Sequence, residues 1–244
     1  MKVSVIGQGR VGRALVRSLV EANIDVNAIG GRSFSFENDE CDGDVCFFCL
    51  KDDVLKNFVK KCKGIKKTIL IHCSGSISSV EIFDGVSENY GVFYPLRSFT
   101  GDKNEKFSNT NVFVTGSNEY VVNILKKLSE KIGAKVYELS DEKRLKLHLA
   151  AVFAHNFTNH IISISKAITE ETSVPFSVII DLLKPYFEKL ISTENPDLLQ
   201  TGPAVRKDFV TMEKHIELLK KNKDWQNIYR FVTESILKII GNNE

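Results

Sequence analysis

A chain of 244 residues, 43% hydrophobic and 26% charged, can bury one large core or two modest ones, which excludes disorder as its main state. Its 33 basic and 31 acidic residues nearly cancel to a formal charge of +2, so no domain-wide positive field exists to hold a nucleic-acid backbone. No apolar run approaches the roughly 20 residues that span a bilayer, and no signal-peptide cleavage region precedes the first strand pattern, so a soluble, cytoplasmic protein without a membrane partner is predicted. The cysteines Cys41, Cys46, Cys49, Cys62 and Cys73 form an odd set without framework spacing, which fits reduced thiols. Cys46 and Cys49 have CxxC spacing but lie inside the apolar run VCFFCL, and no second pair completes a zinc site. No metal is predicted.

In chain order, β-rich runs alternate with helical patterns over the first 140 residues. Strands are predicted over 3–6, 26–29, 45–50, 68–73, 92–94, 112–114 and 136–139, with helices over 11–22, 54–62 and 119–132. The nearly continuous hydrophobicity of VCFFCL and TILIHC is that of strands covered on both faces. The expected fold class is α/β, a doubly wound, mainly parallel sheet, followed by an all-α C-terminal domain. The change of character comes after Ser140, which divides the chain into 1–140 and 141–244. Ser140 caps a helix predicted over 141–171. Pro175 opens the next helix and Pro185 kinks or ends it. A loop over 195–203 then precedes helices over 205–221 and 225–240.

The segment KVSVIGQGRVGRALVRSL runs from a strand through GxGxxG into an amphipathic helix, the context that the dinucleotide fingerprint of a Rossmann sheet requires. Gly7 permits the tight turn, Gly9 lets the backbone approach a pyrophosphate, and Gly12 lets helix and strand pack closely, so Gly7, Gln8, Gly9, Arg10, Val11 and Gly12 are the predicted cofactor-binding turn. The alternatives are a glycine turn without ligand or a site for another adenine-containing molecule. Beyond the second strand, where NAD sites place a carboxylate, the chain reads Ala28-Ile29-Gly30-Gly31-Arg32-Ser33. Arg32 and Ser33 suit a 2′-phosphate, which favours NADP over NAD.

Ligands collect outside the carboxyl ends of strands in such sheets. His72 and Ser74 end the strand TILIHC and either meet nicotinamide and substrate or hold the turn structurally. Arg97 follows the next strand and pairs either with a substrate carboxylate or with a surface acid. Arg206 and Asp208, beyond Pro203, lie near a helix N-terminus and either bind an anion or form a structural ion-pair network. On the helix from Asp141, His148, His155 and Asn159 share one stripe at about 100° per residue, in a stretch without lysine or glutamate between Lys146 and Lys166. A cleft-facing stripe makes His148 the candidate proton donor, since an unperturbed histidine titrates near pH ~6.5, with Asn156 or Asn159 orienting the substrate. The alternative is that these side chains tie the helix to the sheet.

The ordered set GQGRVG at 7–12, HCSGS at 72–76, YPLRSF at 94–99, LHLAAVFAHNFTNH at 147–160 and TGPAVRKDF at 201–209 with His215 resembles a family of Rossmann-like NADP oxidoreductases whose helical C-terminal half has no assigned function. The resemblance covers nearly the whole chain, and Asn156 falls in one of its motifs. More distantly the arrangement looks like ketopantoate reductase, pyrroline-5-carboxylate reductase and the β-hydroxyacid dehydrogenases. It departs from the family pattern at Leu147, where Tyr is expected, and at Lys207, where Gly follows the Arg. The resemblance implies hydride transfer between NADP and a small, anionic carbonyl or imine substrate. The alternative is an NADP(H)-binding redox sensor without turnover, because the lysine of a β-hydroxyacid dehydrogenase's catalytic helix is not evident. The large apolar residues after Ser140, among them Phe153, Phe157, Tyr186, Phe209 and Phe231, predict a homodimer formed largely by the helical domain.

Overall fold

The structure is a computed structural model that describes residues 1–30, 34, 43–62 and 68–241. The first part alternates strands and helices as β1 (Lys2–Ile6), α1 (Arg10–Glu21), β2 (Asp25–Ile29), β3 (Val45–Phe48), α2 (Asp52–Val59), β4 (Ile69–His72), α3 (Ser79–Phe83), β5 (Tyr90–Pro95), β6 (Asn111–Gly116), α4 (Glu119–Lys131) and β7 (Lys135–Glu138). The described strands form one sheet in the order β2-β1-β3-β4-β5-β6-β7. Pairing is parallel except between β5 and β6. This is the doubly wound, mainly parallel sheet of a Rossmann-type fold, and each predicted strand is present with its ends shifted by a residue or two.

VCFF of β3 and ILIH of β4 are buried at every position, as strands covered on both faces must be. Alternation sorts their side chains. Val3, Val5, Phe47, Ile71 and Phe93 join α1 and α4 in one core, while Ile6, Phe48 and Leu70 join Leu55 of α2 and Phe83 of α3 in the other. The short helix α3 lacks a full amphipathic turn pattern, and sequence periodicity did not predict it. The chain leaves β1 for β2 on one side and returns to β3 on the other. The crevice at the carboxyl ends of β1 and β3 is therefore the topological switch point.

The helical region follows as α5 (Asp141–Ala151), a π-helical segment (Val152–Phe157), α6 (Thr158–Glu170), α7 (Ser177–Thr193), a 3₁₀ turn (Pro196–Leu199), α8 (Phe209–Leu218), a second 3₁₀ turn (Leu219–Lys221) and α9 (Lys223–Gly241). Ser140 caps α5 by accepting from the Lys143 amide. The single helix predicted over 141–171 is thus interrupted, and the 100° spacing behind the polar stripe does not extend past Ala151. Pro185 lies inside α7 without ending it. The helix predicted from 205 begins instead at Phe209, because Lys207 takes φ = 53°, outside the helical region, and Asp208 supplies the cap.

By compactness the chain parts into Met1–His155 and Asn156–Glu244. By element type the change comes earlier, at Ser140, because α5 stays with the first unit. Within the second unit, α8 and α9 are joined by Gln226 Nε2, which donates to the Ile216 carbonyl at 2.7 Å, and by the 2.9 Å contact of His215 Nδ1 with the Tyr229 hydroxyl. A largely apolar cavity of ≈ 270 Å³ lies between Ile161, Ile168, Pro203, Trp225, Tyr229 and Val232. Among the described residues no helix is long and apolar enough to cross a membrane, and no cluster of His, Cys, Asp and Glu is arranged to hold a metal ion.

Candidate functional site

The glycine turn closes at the switch point. Gly7 has φ = 101° and donates its amide to the Ile29 carbonyl at 2.8 Å. A Cβ at Gly7 would lie 2.4 Å from the Cys49 carbonyl oxygen, and one at Gly12 would lie 1.8 Å from the Gly7 carbonyl oxygen. Neither position accepts a side chain, since backbone cannot yield at those distances. Gly9 is the opposite case: a Cβ there meets nothing within 4 Å, and as N-cap of α1 it makes no side-chain cap. The first-turn amides of α1 therefore carry no side-chain cap, at the positive end of the helix dipole. Gln8, Gly9 and Arg10 lie on the outer side of the turn, while Val11 packs against the core behind it. The residues fit a dinucleotide pyrophosphate: a tight turn, an open glycine and uncapped amides. Arg32 and Ser33 lie outside the described residues.

At the carboxyl ends of β4 and β5 a second group assembles. The Tyr94 hydroxyl lies 3.1 Å from His148 Nδ1, and the two rings meet edge-on with centroids 5.7 Å apart. A Cβ at Gly75 would lie 2.7 Å from His148 Nδ1 and 2.8 Å from the Tyr94 ring, so the pair closes over a glycine and a side chain there would push the two rings aside. Burial pushes the Tyr94 phenol upward against the opposing influence of Arg144. The phenol stays protonated, and its hydroxyl and Nδ1 share one hydrogen bond whose direction follows the imidazole tautomer.

The partner of this arrangement that sequence reasoning missed is Arg144, one helical turn before His148 and 1% exposed. Its Nη1 donates to Asp141 Oδ1 at 2.5 Å and to Thr115 Oγ1 at 3.0 Å, and its Nη2 donates to the Ile77 carbonyl. Asp141 Oδ2 accepts from Ser78 Oγ at 2.5 Å and the Ser79 amide at 3.1 Å. Burial alone would raise the Asp141 pKa, but bonds from Ser78 and Arg144 hold it below the ordinary carboxylate value. Thr115 stands opposite Val92 in the β5–β6 ladder, two residues from Tyr94. Two strand residues advance about 6.6 Å and four helical residues about 6 Å, so fixing Arg144 beside Thr115 sets His148 level with Tyr94. The sequence showed only an arginine at i−4 from a histidine; its burial depends on the β5–β6 pairing, which local pattern does not report.

The other candidates are placed differently. His72 is fully buried on the α3 side with its ring 5.7 Å from Phe83, and its Nδ1 accepts the Ser74 amide at 3.2 Å. Alternation places its ring on the Phe83 side of the sheet. Burial first, then the charge of Arg144, lowers its pKa to about 4. Ser74 donates to Asp52 Oδ2 at 2.9 Å, and its Oγ accepts the Ser76 and Ile77 amides, so it organises the turn after β4. Arg97 Nη1 donates to the Lys106 carbonyl at 2.9 Å and to Thr110 Oγ1 at 3.3 Å, with the guanidinium over the Phe99 ring. These contacts tie the loop after β5 together. In the second unit Asn156 is exposed. Asp208 accepts the Thr211 amide at 3.1 Å as cap of α8, the Thr211 side chain and then its amide lower the Asp208 pKa, and Arg206 sits in the turn before it.

Fold and turn together define a Rossmann-type protein with a helical C-terminal region. Residues 110–236 match the family described as domain of unknown function (DUF2520), and the chain belongs to that family. No curated protein matches it significantly. Among solved structures, a Bacteroides fragilis protein described as an NADP oxidoreductase is 25% identical with a TM-score of 0.82, over 97% of this chain and 98% of that one. The protein TM1727 of Thermotoga maritima is 20% identical with a TM-score of 0.71, over 99% of each chain. Pyrroline carboxylate reductase of Plasmodium falciparum, solved with NADP bound, is 12% identical with a TM-score of 0.60, over 98% of this chain and 97% of that one.

Proposed function

We propose that the chain is an NADP-dependent oxidoreductase that transfers hydride between the nicotinamide and a small, anionic carbonyl or imine substrate. The observation that carries this reading is the glycine turn, where Gly7 and Gly12 exclude side chains while Gly9 and the α1 amides stand open. The likeness to an NADP oxidoreductase over the whole chain supports the cofactor class. Preference for NADP rests on Arg32 and Ser33 in the sequence. NADP supplies the hydride chemistry when bound; the chain supplies orientation and a proton.

The α1 amides and Gln8–Arg10 hold the pyrophosphate. His148 is the proton donor, with Tyr94 presenting a hydroxyl to its Nδ1 and Gly75 permitting the contact. Asn156 orients the substrate, and Arg206 is the anion contact of the second unit. His72, Ser74, Arg97 and Asp208 have structural tasks. The helical region forms the contact of a homodimer.

Fluorescence titration with NADPH and NADH tests the cofactor, with NADPH expected to bind more tightly; equal affinities would remove the role given to Arg32. NADPH oxidation with a panel of small keto acids and cyclic imines tests the reaction. Sustained turnover sets aside a sensor, whereas tight binding without turnover on any of them favours one. If neither nucleotide binds, the reading fails.

A further inference from the structure

Two thiols meet beneath the glycine turn. Cys49 follows β3 and Cys73 follows β4, parallel neighbours whose register pairs Phe48 with His72, so the next residues stand opposite one another at the carboxyl edge. Both side chains pack toward the core that holds α1, both are half-buried, and their sulfurs are 3.6 Å apart. A disulfide needs an S–S distance of about 2.05 Å and Cα atoms about 4.4–6.8 Å apart, and neighbouring strands are spaced at about 4.8 Å, so the bond is within reach of side-chain rotation. Of the other described cysteines, Cys46 is buried within β3, and Cys62 donates its thiol to the Phe58 carbonyl at 3.5 Å.

Cys49 is also part of the turn's support. Its carbonyl blocks a side chain at Gly7, its Cβ lies 3.2 Å from a Cβ built on Gly12, and its amide donates to the Ile6 carbonyl at 2.8 Å. Displacing Cys49 therefore displaces the floor on which the glycine turn rests.

We propose that Cys49 and Cys73 are a redox modification site: peroxide converts them to a reversible disulfide, and the oxidised form binds dinucleotide more weakly. The affinity half of this rests on the nucleotide reading above; the disulfide half does not. The hydrogen bond with Cys49 first, and burial next, push the Cys73 thiol up, and the step is written with Cys49 as the attacking sulfur and Cys73 as the resolving one. The Cys49 thiolate attacks one peroxide oxygen, the O–O bond breaks, and the departing hydroxide takes a proton to become water. Cys73 sulfur then attacks the Cys49 sulfenic acid, the S–O bond breaks, and the second hydroxide leaves as water with the Cys73 proton. The two sulfurs lose two electrons in total and hydrogen peroxide gains them; a dithiol reductant reverses the step.

The test treats the full chain with stoichiometric hydrogen peroxide and follows peptides by mass spectrometry and NADPH binding by fluorescence. A Cys49–Cys73 linked peptide is expected, lost on dithiothreitol treatment and lost in both Cys49→Ser and Cys73→Ser, while Cys62→Ser still forms it. The Kd for NADPH is expected to rise roughly tenfold on oxidation, a loss of about 1.4 kcal/mol, and to return on reduction. Sulfinic acid in place of a link, or a link to another cysteine, overturns the site. A Cys49–Cys73 link with unchanged affinity overturns the coupling to the cofactor. A reduced chain that binds no NADPH defeats the nucleotide reading instead, and the linked peptide is read independently of it.

Discussion

A fully buried histidine resists protonation, and His72 shows what that costs. Its folded pKa is about 4 against an ordinary 6.5, so above pH 6.5 both folded and unfolded chains hold it neutral and it adds no pH dependence. Between those values the unfolded chain binds a proton that the folded chain refuses. Stability then falls by about 1.4 kcal/mol per pH unit, roughly 3 kcal/mol in all. Chemical denaturation of His72→Phe from pH 7 to pH 4 is expected to show a shallower loss by that amount; parallel curves for variant and parent would contradict the burial argument. At Gly75 the contact is steric: in Gly75→Ala the new Cβ drives His148 from Tyr94, and turnover is expected to fall by roughly 10²-fold with NADPH affinity kept. Equal losses of affinity and turnover would instead mean that the alanine disturbs the sheet edge. Lys207 is the converse case, a side chain at φ = 53° where the family pattern has glycine. Lys207→Gly removes left-handed strain but frees the unfolded chain, for a net gain of up to ~1 kcal/mol, read as a raised Tm.

At the scale of elements, a buried guanidinium is the central tie between α5 and the sheet edge. Arg144→Met leaves the Asp141 carboxylate without its cation and the Ile77 carbonyl without its donor, and is expected to cost about 3 kcal/mol. The double variant Arg144→Met with Asp141→Asn should recover part of that, since it removes the orphaned charge; no recovery in denaturant titration would show that the pair contributes through packing alone. Strands and most helices were legible in the sequence because their signals are local: VCFFCL and TILIHC carry their two-sided burial in composition, and GQGRVG carries its turn in three glycines. What escaped depends on tertiary contacts. The π-helical segment over Val152–Phe157 follows no 3.6-residue signal. Tyr94 meets His148 only once β5 and α5 lie side by side. Cys49 shares CxxC spacing with Cys46, but alternation sends Cys46 to the opposite face, and only the tertiary pairing of β3 with β4 brings the Cys49 sulfur to Cys73.

At the scale of the whole molecule, the two units bury their chains very differently. In the first, all of β3 and β4 and the inner faces of α1 and α4 are inaccessible. In the second, the buried residues among those described are Thr169, Ala204, Met212 and Gln226. Large apolar side chains are instead exposed, with Leu218 at 79%, Ile191 at 77% and Phe231 at 72%. A helical unit of this size needs a core, and apolar surface left in water forfeits about 25 cal/mol per Å² of burial. A second copy covers such a surface most economically, because twofold symmetry supplies the same apolar face from both chains. The expected outcome is a dimer of twice 27.5 kDa by light scattering at micromolar concentration. Phe231→Asp, which places a charge on that face without touching any residue of the first unit's site, is expected to shift the mass to that of the monomer. A parent chain that is monomeric under the same conditions would show that the second unit's apolar faces are left in water.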